Sequence, residues 1–424
     1  MKKILFKILK TLATKILKKY RPLVIGITGS VGKTSTKEAI YALLRGNFMV
    51  RRNIKNYNNE IGVPLTIIGS KSGNSNIFKW LGIFFKALKL IIKKDNDYPE
   101  MLVLEMGADK VGDIKYLVDM VPCDISVVTA VSKVHFEYFE TLENIISEKG
   151  EIVKHLKTSH LAILNSDDPN VMKMKTMTKA KIVTYGLTDD STFKASDIKL
   201  SFKENNIGTS FKLEIDGKVI PVFLNNVLGS IQVKAALAAL AVGISLKVNL
   251  LELIDDFGKY KVPPGRTNLL KGIKNTLLID DTYNSSPISS KAALNILKDV
   301  AIRGSGKKIA ILGEMLELGS YTEAGHQEVG AKASESNIDT LICVGERSRD
   351  IVRGAKEQGM SEDNIFYFAT NKEAGTFIQN RLHENDIVLI KGSQGARMEQ
   401  ITKELMAEPD TAKELLVRQT IDWQ

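Results

Sequence analysis

The residues best placed to do chemistry lie between positions 26 and 39, in GITGSVGKTSTKEA. Gly29 and Gly32 permit a tight backbone turn, and Lys33, Thr34 and Ser35 follow in register. A loop of this kind, set between a strand and a helix N-terminus, cradles phosphates. Its backbone N–H groups point inward, and the positive end of the helix dipole adds to them. The Lys33 ammonium would reach the β- and γ-phosphates of a nucleotide, and the Thr34 hydroxyl would sit on Mg²⁺. The pattern is a shortened one, because Ile27 stands where the strict P-loop has its first glycine.

The elements that must hold this loop are legible on both sides. PLVI before it reads as a buried strand, and Ala39, Ile40, Leu43 and Leu44 after it recur at helical spacing. Residues 101–104 form another apolar strand with Glu105 at its end, where open α/β sheets place ligand-binding groups. A carboxylate there, across from Thr34, suits a second Mg²⁺ ligand. The run ISVVTAV leads to His135, and the helix LENIISEKGEIVKHL carries Lys149. By residue type alone these are a lone histidine and a surface lysine. The stretch NIKNYNNEIGVPLTII, with four asparagines close together, reads as a polar loop suited to recognising a sugar or peptide.

Residues 161–186 read as two strands around a helix, and 192–223 alternate polar and apolar with a hairpin turn at Asp216-Gly217. An alanine-rich helix follows, then VPPGRTNLL, whose double proline marks a domain boundary. Beyond it, strands are expected at 276–280, 308–312, 340–344, 364–368 and 386–390, separated by helix-sized gaps. That alternation means a parallel sheet with helices on both faces. The expected fold is therefore α/β. A basic amphipathic helix (1–22) precedes a central P-loop-type ATPase domain with a mostly parallel sheet (23–262) and a C-terminal Rossmann-like α/β domain (263–424).

Composition bounds the rest. With 424 residues, 44% hydrophobic and 25% charged, the chain is long enough for two or three globular domains. Cys123 and Cys343 are too far apart for a metal or disulfide spacing and fit a reducing cytoplasm. No run of apolar residues is long enough to span a membrane, and the lysine-rich start lacks a signal-peptide cleavage site. Residues 1–94 hold twenty Lys or Arg and two acids, Glu38 and Glu60, a balance of +18 against +10 for the whole chain. Nucleic acid is the last-ranked partner for that charge, since the aromatic interleaving of a single-strand binder is missing. Two segments, 1–21 and 77–94, read as basic amphipathic helices. The expectation is that both pack on the body and show lysines to water. The alternative is peripheral contact with the inner face of a membrane.

Taken in order, TGSVGKTS, NYNNEIGVPLT, LEMGADKVGDI, the stretch from His135 to Lys149, PGRTN, DDTYNSSP, LGEMLELG and KGSQGARME resemble the Mur ligase family, ATP-dependent amide-forming ligases of cell-wall precursor synthesis. The last two favour the type that adds D-alanyl-D-alanine to a UDP-muramoyl tripeptide. The resemblance implies that Gly29, Ser30, Gly32, Lys33, Thr34 and Ser35 hold the ATP phosphates, and that Thr34 and Glu105 hold one Mg²⁺. It implies that His135 and a carbamate on Lys149 serve a second Mg²⁺. Arg266, Asp281 and Asn284 would contact the ribose, phosphates and adenine, and Lys391 and Arg397 would meet the amine substrate or steady the acyl intermediate. The implied enzyme is a cytoplasmic monomer.

Three departures accompany the likeness. Only about 22 residues precede the phosphate-loop strand, where the full-length type carries a UDP-binding domain. Ile231, Gln232 and Ala235 stand in the family's Gly-x-His-Asn-x-x-Asn segment, and Thr129-Ala130 replaces a Thr-Asn pair. They leave two alternatives: a Mur-like ligase with a non-UDP carboxylate substrate, or a nucleotide-binding scaffold without turnover.

Overall fold

A computed structural model describes residues 2–54, 57–132, 139–203, 206–302 and 304–419. The first half is built on a nine-stranded sheet. Its strands are β1 (Leu23–Thr28), β2 (Val50–Arg52), β3 (Met101–Glu105), β4 (Ile125–Val128), β5 (Leu161–Asn165), β6 (Lys181–Gly186), β7 (Phe193–Lys203), β8 (Asn206–Ile215) and β9 (Lys218–Asn225). They lie in the order β2-β3-β1-β4-β5-β6-β7-β8-β9. Pairing is parallel as far as β7 and antiparallel across β7, β8 and β9. The parallel strands read as unbroken apolar runs because both faces are covered. Val24, Leu102 and Leu104 face one layer of helices, while Ile25, Ile27 and Val103 face the other. At the β8–β9 turn Asp216 and Gly217 both take positive φ, 48° and 73°, the left-handed pair that matches the twist of a two-residue hairpin.

The helices that cover this sheet include α1 (Lys2–Tyr20), α2 (Lys33–Leu44), α3 (Gly62–Ile68), α4 (Ile77–Ile92) and α5 (Asp113–Met120). The helix α2 packs with Ser230–Ser245, whose Ala235, Ala236, Ala238 and Ala239 are buried and let the two helices and the sheet approach closely. The opposite face takes α1, α3, α4, α5 and the helix Leu142–Lys154.

The two basic helices behave differently. Leu9, Ala13 and Ile16 of α1 are fully buried, as packing requires. Only one face of α4 is buried, through Ile83, Ala87 and Leu90, while Ile77, Phe78, Leu81, Phe85, Leu88 and Ile92 stay exposed. The packing expectation holds for α1 and for half of α4. Among the described residues, no helix is long and apolar enough to cross a membrane.

A second sheet begins after residues 260–267. Its six strands are β10 (Asn268–Lys271), β11 (Leu277–Asp281), β12 (Lys308–Gly313), β13 (Thr340–Val344), β14 (Ile365–Phe368) and β15 (Ile387–Lys391), in the order β10-β11-β15-β12-β13-β14. Pairing is parallel except for β10 against β11. Five of these strands begin and end within a residue of the stretches expected from alternation. The short strands β10 and β2 carry too few residues to show a period.

Candidate active site

The phosphate loop joins β1 to α2. Gly29 and Gly32 have φ of 147° and 89°, and a Cβ on Gly29 would collide with Thr129 Oγ1. That close approach is used: Thr129 Oγ1 donates to Val31 O at 2.7 Å, Ser30 N donates to Ala130 O at 2.6 Å, and Ser132 N donates to Ser30 Oγ at 3.0 Å. The Thr129-Ala130 segment that departs from the family pattern therefore sets the loop's shape. Ser35 is buried behind it in the first turn of α2. Lys33 folds back, its Nζ donating to Gly29 O at 2.7 Å and Ser30 O at 3.4 Å. Burial lowers the pKa of this lysine, with Glu105 and Asp109 acting against it. An ammonium held, among the described residues, by carbonyls of a glycine-lined loop can turn to a phosphate without breaking an ion pair.

Glu105 ends β3, beside β1, so sheet topology alone brings it to the loop. Its Oε2 accepts the Thr34 hydroxyl at 2.9 Å and its Oε1 accepts Asn58 Nδ2 at 3.1 Å. The buried Lys37 lies 3.8 Å away. Burial pushes the carboxyl up, but Lys37, Lys33 and the hydrogen bonds from Asn58 and Thr34 outweigh it and hold the pKa below the ordinary range. The asparagine stretch, read from sequence as a recognition loop, is spent on local structure: Asn58 on this carboxylate, Asn53 on the backbone of Glu105 and Asn59 on the start of α3. Asn53, fully buried, donates to Glu105 O and accepts from Glu105 N, while Asn59 Oδ1 accepts from the N–H groups of Ile61 and Gly62 at the start of α3.

A hydroxyl and an ionised carboxylate are the hard oxygen donors that suit Mg²⁺, whose other positions go to water and phosphate oxygens. Among the described residues no group of three or more acidic, histidine or cysteine side chains could hold a metal by itself, and this arrangement does not need one. His135 lies outside the described residues.

Lys149 is not the surface residue its surroundings in sequence suggest. It is buried in the helix Leu142–Lys154. Burial, then the nearby charge of Lys33, pushes its pKa down to about 7, against the pull of Glu148 and Asp109. Glu148 next to it accepts from Gly112 N and Ile114 N at the start of α5, which fixes the helix against the site. Asp109 acts on both Lys33 and Lys149. Sequence reasoning missed it, although it stands in the same segment as Glu105, four residues on.

Residues from the second sheet face this cluster. Arg266 lies within electrostatic reach of both Lys33 and Lys391, and its guanidinium stacks 4.0 Å over the Tyr283 ring. Its Nε is buried with no hydrogen-bond partner among the described residues, a donor that an anionic ligand would satisfy. Gln232, buried at one of the departing positions, donates to Arg266 O at 2.9 Å and accepts from Tyr260 OH at 3.0 Å. Lys391 is buried and bound to Asp281 at 2.7 Å and to Asn284 O at 2.9 Å. Burial lowers its pKa and Asp281 opposes that. The exposed Asn284 side chain accepts from Ser285 N, and Arg397 pairs with Glu399 at 2.7 Å. Between the sheets lies a cleft of about 1300 Å³, lined by Thr34, Lys37, Arg52 and Tyr57 on one side and Tyr283, Gln394, Lys413 and Arg418 on the other.

Comparison with known proteins agrees with this geometry. Residues 27–78 and 86–243 match the Mur ligase middle domain, and residues 265–394 match the Mur ligase glutamate ligase domain. The chain is similar to the UDP-N-acetylmuramoyl-tripeptide–D-alanyl-D-alanine ligase of Bacillus subtilis (strain 168), with 29% identity over 95% of this chain and 79% of that protein. It is 30% identical to the enzyme of that name from Buchnera aphidicola, over 92% of this chain and 78% of the other. Its fold is similar to the MurF ligase from Thermotoga maritima in complex with ADP, with a TM-score of 0.78 and 28% identity across 96% of this chain and 84% of that one. The chain belongs to the Mur ligase family and is an ATP-dependent ligase of peptidoglycan precursor synthesis.

Proposed function

We propose that this protein joins D-alanyl-D-alanine to the free carboxylate of a UDP-N-acetylmuramoyl tripeptide, using ATP with Mg²⁺ and acting as a monomer. The observation that carries the reading is the convergence of Lys33, the Thr34–Glu105 pair and the low-pKa Lys149 from one sheet, with Arg266 of the hinge within electrostatic reach of Lys33.

The substrate carboxylate attacks the γ-phosphorus of ATP, giving an acyl phosphate and ADP. Two anions must meet for this. Lys33 exchanges its carbonyl partners for phosphate oxygens, and Arg266 adds a second cation through its unpartnered Nε. Thr34 and Glu105 would hold Mg²⁺, which when bound offsets the charge that builds up on the phosphates. The amine of D-alanyl-D-alanine then attacks the acyl carbon. The tetrahedral intermediate loses phosphate, the nitrogen loses its proton, and the amide remains. Closure of 263–424 on 23–262 would exclude water from the acyl phosphate.

Lys149 has a distinct part. A lysine with a pKa of about 7 is substantially neutral at physiological pH, and a neutral amine reacts with CO₂ to give a carbamate and a proton. The resulting anion, near Lys33, would complete a second Mg²⁺ site with His135. Asp281, Asn284 and Arg266 would face the nucleotide. Lys391 holds Asp281 and the backbone of Asn284 in place, and from there would meet the amine substrate or the acyl intermediate.

The test is incubation of purified protein with ATP, Mg²⁺, UDP-N-acetylmuramoyl tripeptide and D-alanyl-D-alanine, read by product mass and phosphate release. The expected result is the amide, with phosphate release that needs both acceptor and amine. Phosphate release without either, or no amide under any condition, would overturn the reading.

A further inference from the structure

The exposed face of α4 is left over from everything described so far. Phe78, Phe85 and Ile92 are 84%, 73% and 81% exposed, and Ile77, Leu81 and Leu88 stand between them. At helical spacing these six side chains form one continuous ridge along a helix of 16 residues. Six large apolar side chains side by side are more than a scatter of exposed hydrophobics and mark a contact surface.

The charges around the ridge say what kind of contact. Lys79, Lys86 and Lys89 fall by the same spacing along one edge of it, the exposed Lys93 follows directly at its end, and residues 61–94 contain no Asp or Glu. A second copy docked ridge to ridge would set these lysine rows against each other. A bilayer with anionic headgroups meets both needs, hydrocarbon for the phenylalanines and negative charge for the lysines. The helix α1, with seven lysines against three in α4, is not the contact. Leu9, Ala13 and Ile16 of its stripe are consumed in the core and only Ile4 and Ile8 near its start stay exposed, while its end pins α4 from behind, Lys19 Nζ donating to Leu90 O at 2.8 Å and Tyr20 OH to the same oxygen at 3.0 Å.

We propose that α4 lies in the surface of an anionic membrane, apolar ridge down, as a peripheral anchor. The lysine edge also carries Lys79 and Gly82, which line the cleft, so the anchor sets the cleft mouth next to the headgroups. The proposal is independent of which carboxylate the ligase uses.

The test is co-sedimentation of the full chain with vesicles of phosphatidylcholine, with and without phosphatidylglycerol. Binding is expected only where phosphatidylglycerol is present and should fall as salt is raised. The double variants Phe78→Ser/Phe85→Ser and Lys89→Glu/Lys93→Glu should each bind ~10-fold more weakly or less. None of these residues lines the cleft, so their melting temperature and turnover of soluble substrates should stay as in the parent. Three outcomes overturn the proposal: no pelleting with anionic vesicles, undiminished binding by both variants, or a dimer in sedimentation velocity that Phe78→Ser/Phe85→Ser dissolves.

Discussion

Two buried lysine–carboxylate sites stand at the carboxyl ends of parallel strands, one in each sheet, and they are wired differently. In the central sheet, Glu105 receives its hydrogen bonds from the neutral groups of Thr34 and Asn58, and Lys33 rests on backbone carbonyls. The charges are close enough to shift each other's titration, yet neither Lys33 nor Glu105 is consumed by the other; the cation Glu105 pairs with is Lys37, and only loosely, at 3.8 Å. In the second sheet, Lys391 and Asp281 are in direct contact at 2.7 Å, and Asp281 also accepts from Thr267 N at 3.1 Å. The first arrangement leaves charge available for an incoming phosphate and metal. The second cancels it and holds the hinge loop to the sheet. Burial of an ion pair says little about its part in a reaction; what matters is whether its members are already satisfied.

The comparison can be broken most sharply at the open site. Glu105→Gln or Lys33→Ala should lower kcat by about 10³-fold, since each removes charge needed only once phosphates are bound. Glu105→Gln also takes a carboxylate from the buried Lys37, 3.8 Å away, and should lower the melting temperature, so turnover is read well below that transition; unchanged turnover would move the chemistry elsewhere.

Lys149→Ala should cost about 10²-fold in turnover. The same residue gives a pH test. Its folded pKa of about 7 lies below the ordinary 10.5, so between these values the unfolded chain holds the proton and the folded one does not. Stability attributable to Lys149 therefore rises with pH across that window. In CO₂-free buffer, the advantage of Lys149→Met over the parent in melting temperature should be largest at pH 7 and shrink toward pH 10. A difference that does not vary with pH would contradict the assigned burial.

At the closed site the effect should reach stability as well as substrate binding. Asp281→Asn or Lys391→Met leaves one buried charge without its partner and should destabilise the protein by about 3–5 kcal/mol in urea unfolding. The double variant should recover much of that. Equal losses in single and double variants would mean that the pair is not coupled. The smallest effect is expected at Gln232→Ala. It removes the support of the Arg266 carbonyl and should cost about 1 kcal/mol in stability, with a few-fold rise in KM for ATP.

Much of the scaffold was legible in the chain. The strands of the second sheet show as apolar runs at regular intervals because a strand buried on both faces admits little else. The phosphate loop shows because glycine, lysine and threonine at that spacing have few other uses. Glu105 shows because it ends a strand. Lys149 did not show, since a lysine between two glutamates reads as solvated and only its neighbours in space reveal the burial. Asn53 and Asn58 read as recognition groups because asparagine offers the same donors and acceptors to a ligand as to a carboxylate. Gln232 was noticed only as a departure, and its partners Tyr260 and Arg266 are distant in sequence.

The order of strands and helices, the position of the phosphate loop and the basic charge of the first 94 residues follow from local sequence, because periodicity, turn chemistry and composition are local properties. Which charges remain available and which are cancelled came only from tertiary structure. Asp281 and Lys391 lie 110 residues apart and meet because β11 pairs with β15. In the same way α1 and α4, alike as sequences, part company: one finds neighbours for its stripe from Leu9 onward and the other leaves six large apolar side chains exposed along its length, and that depends on what the rest of the chain places beside them.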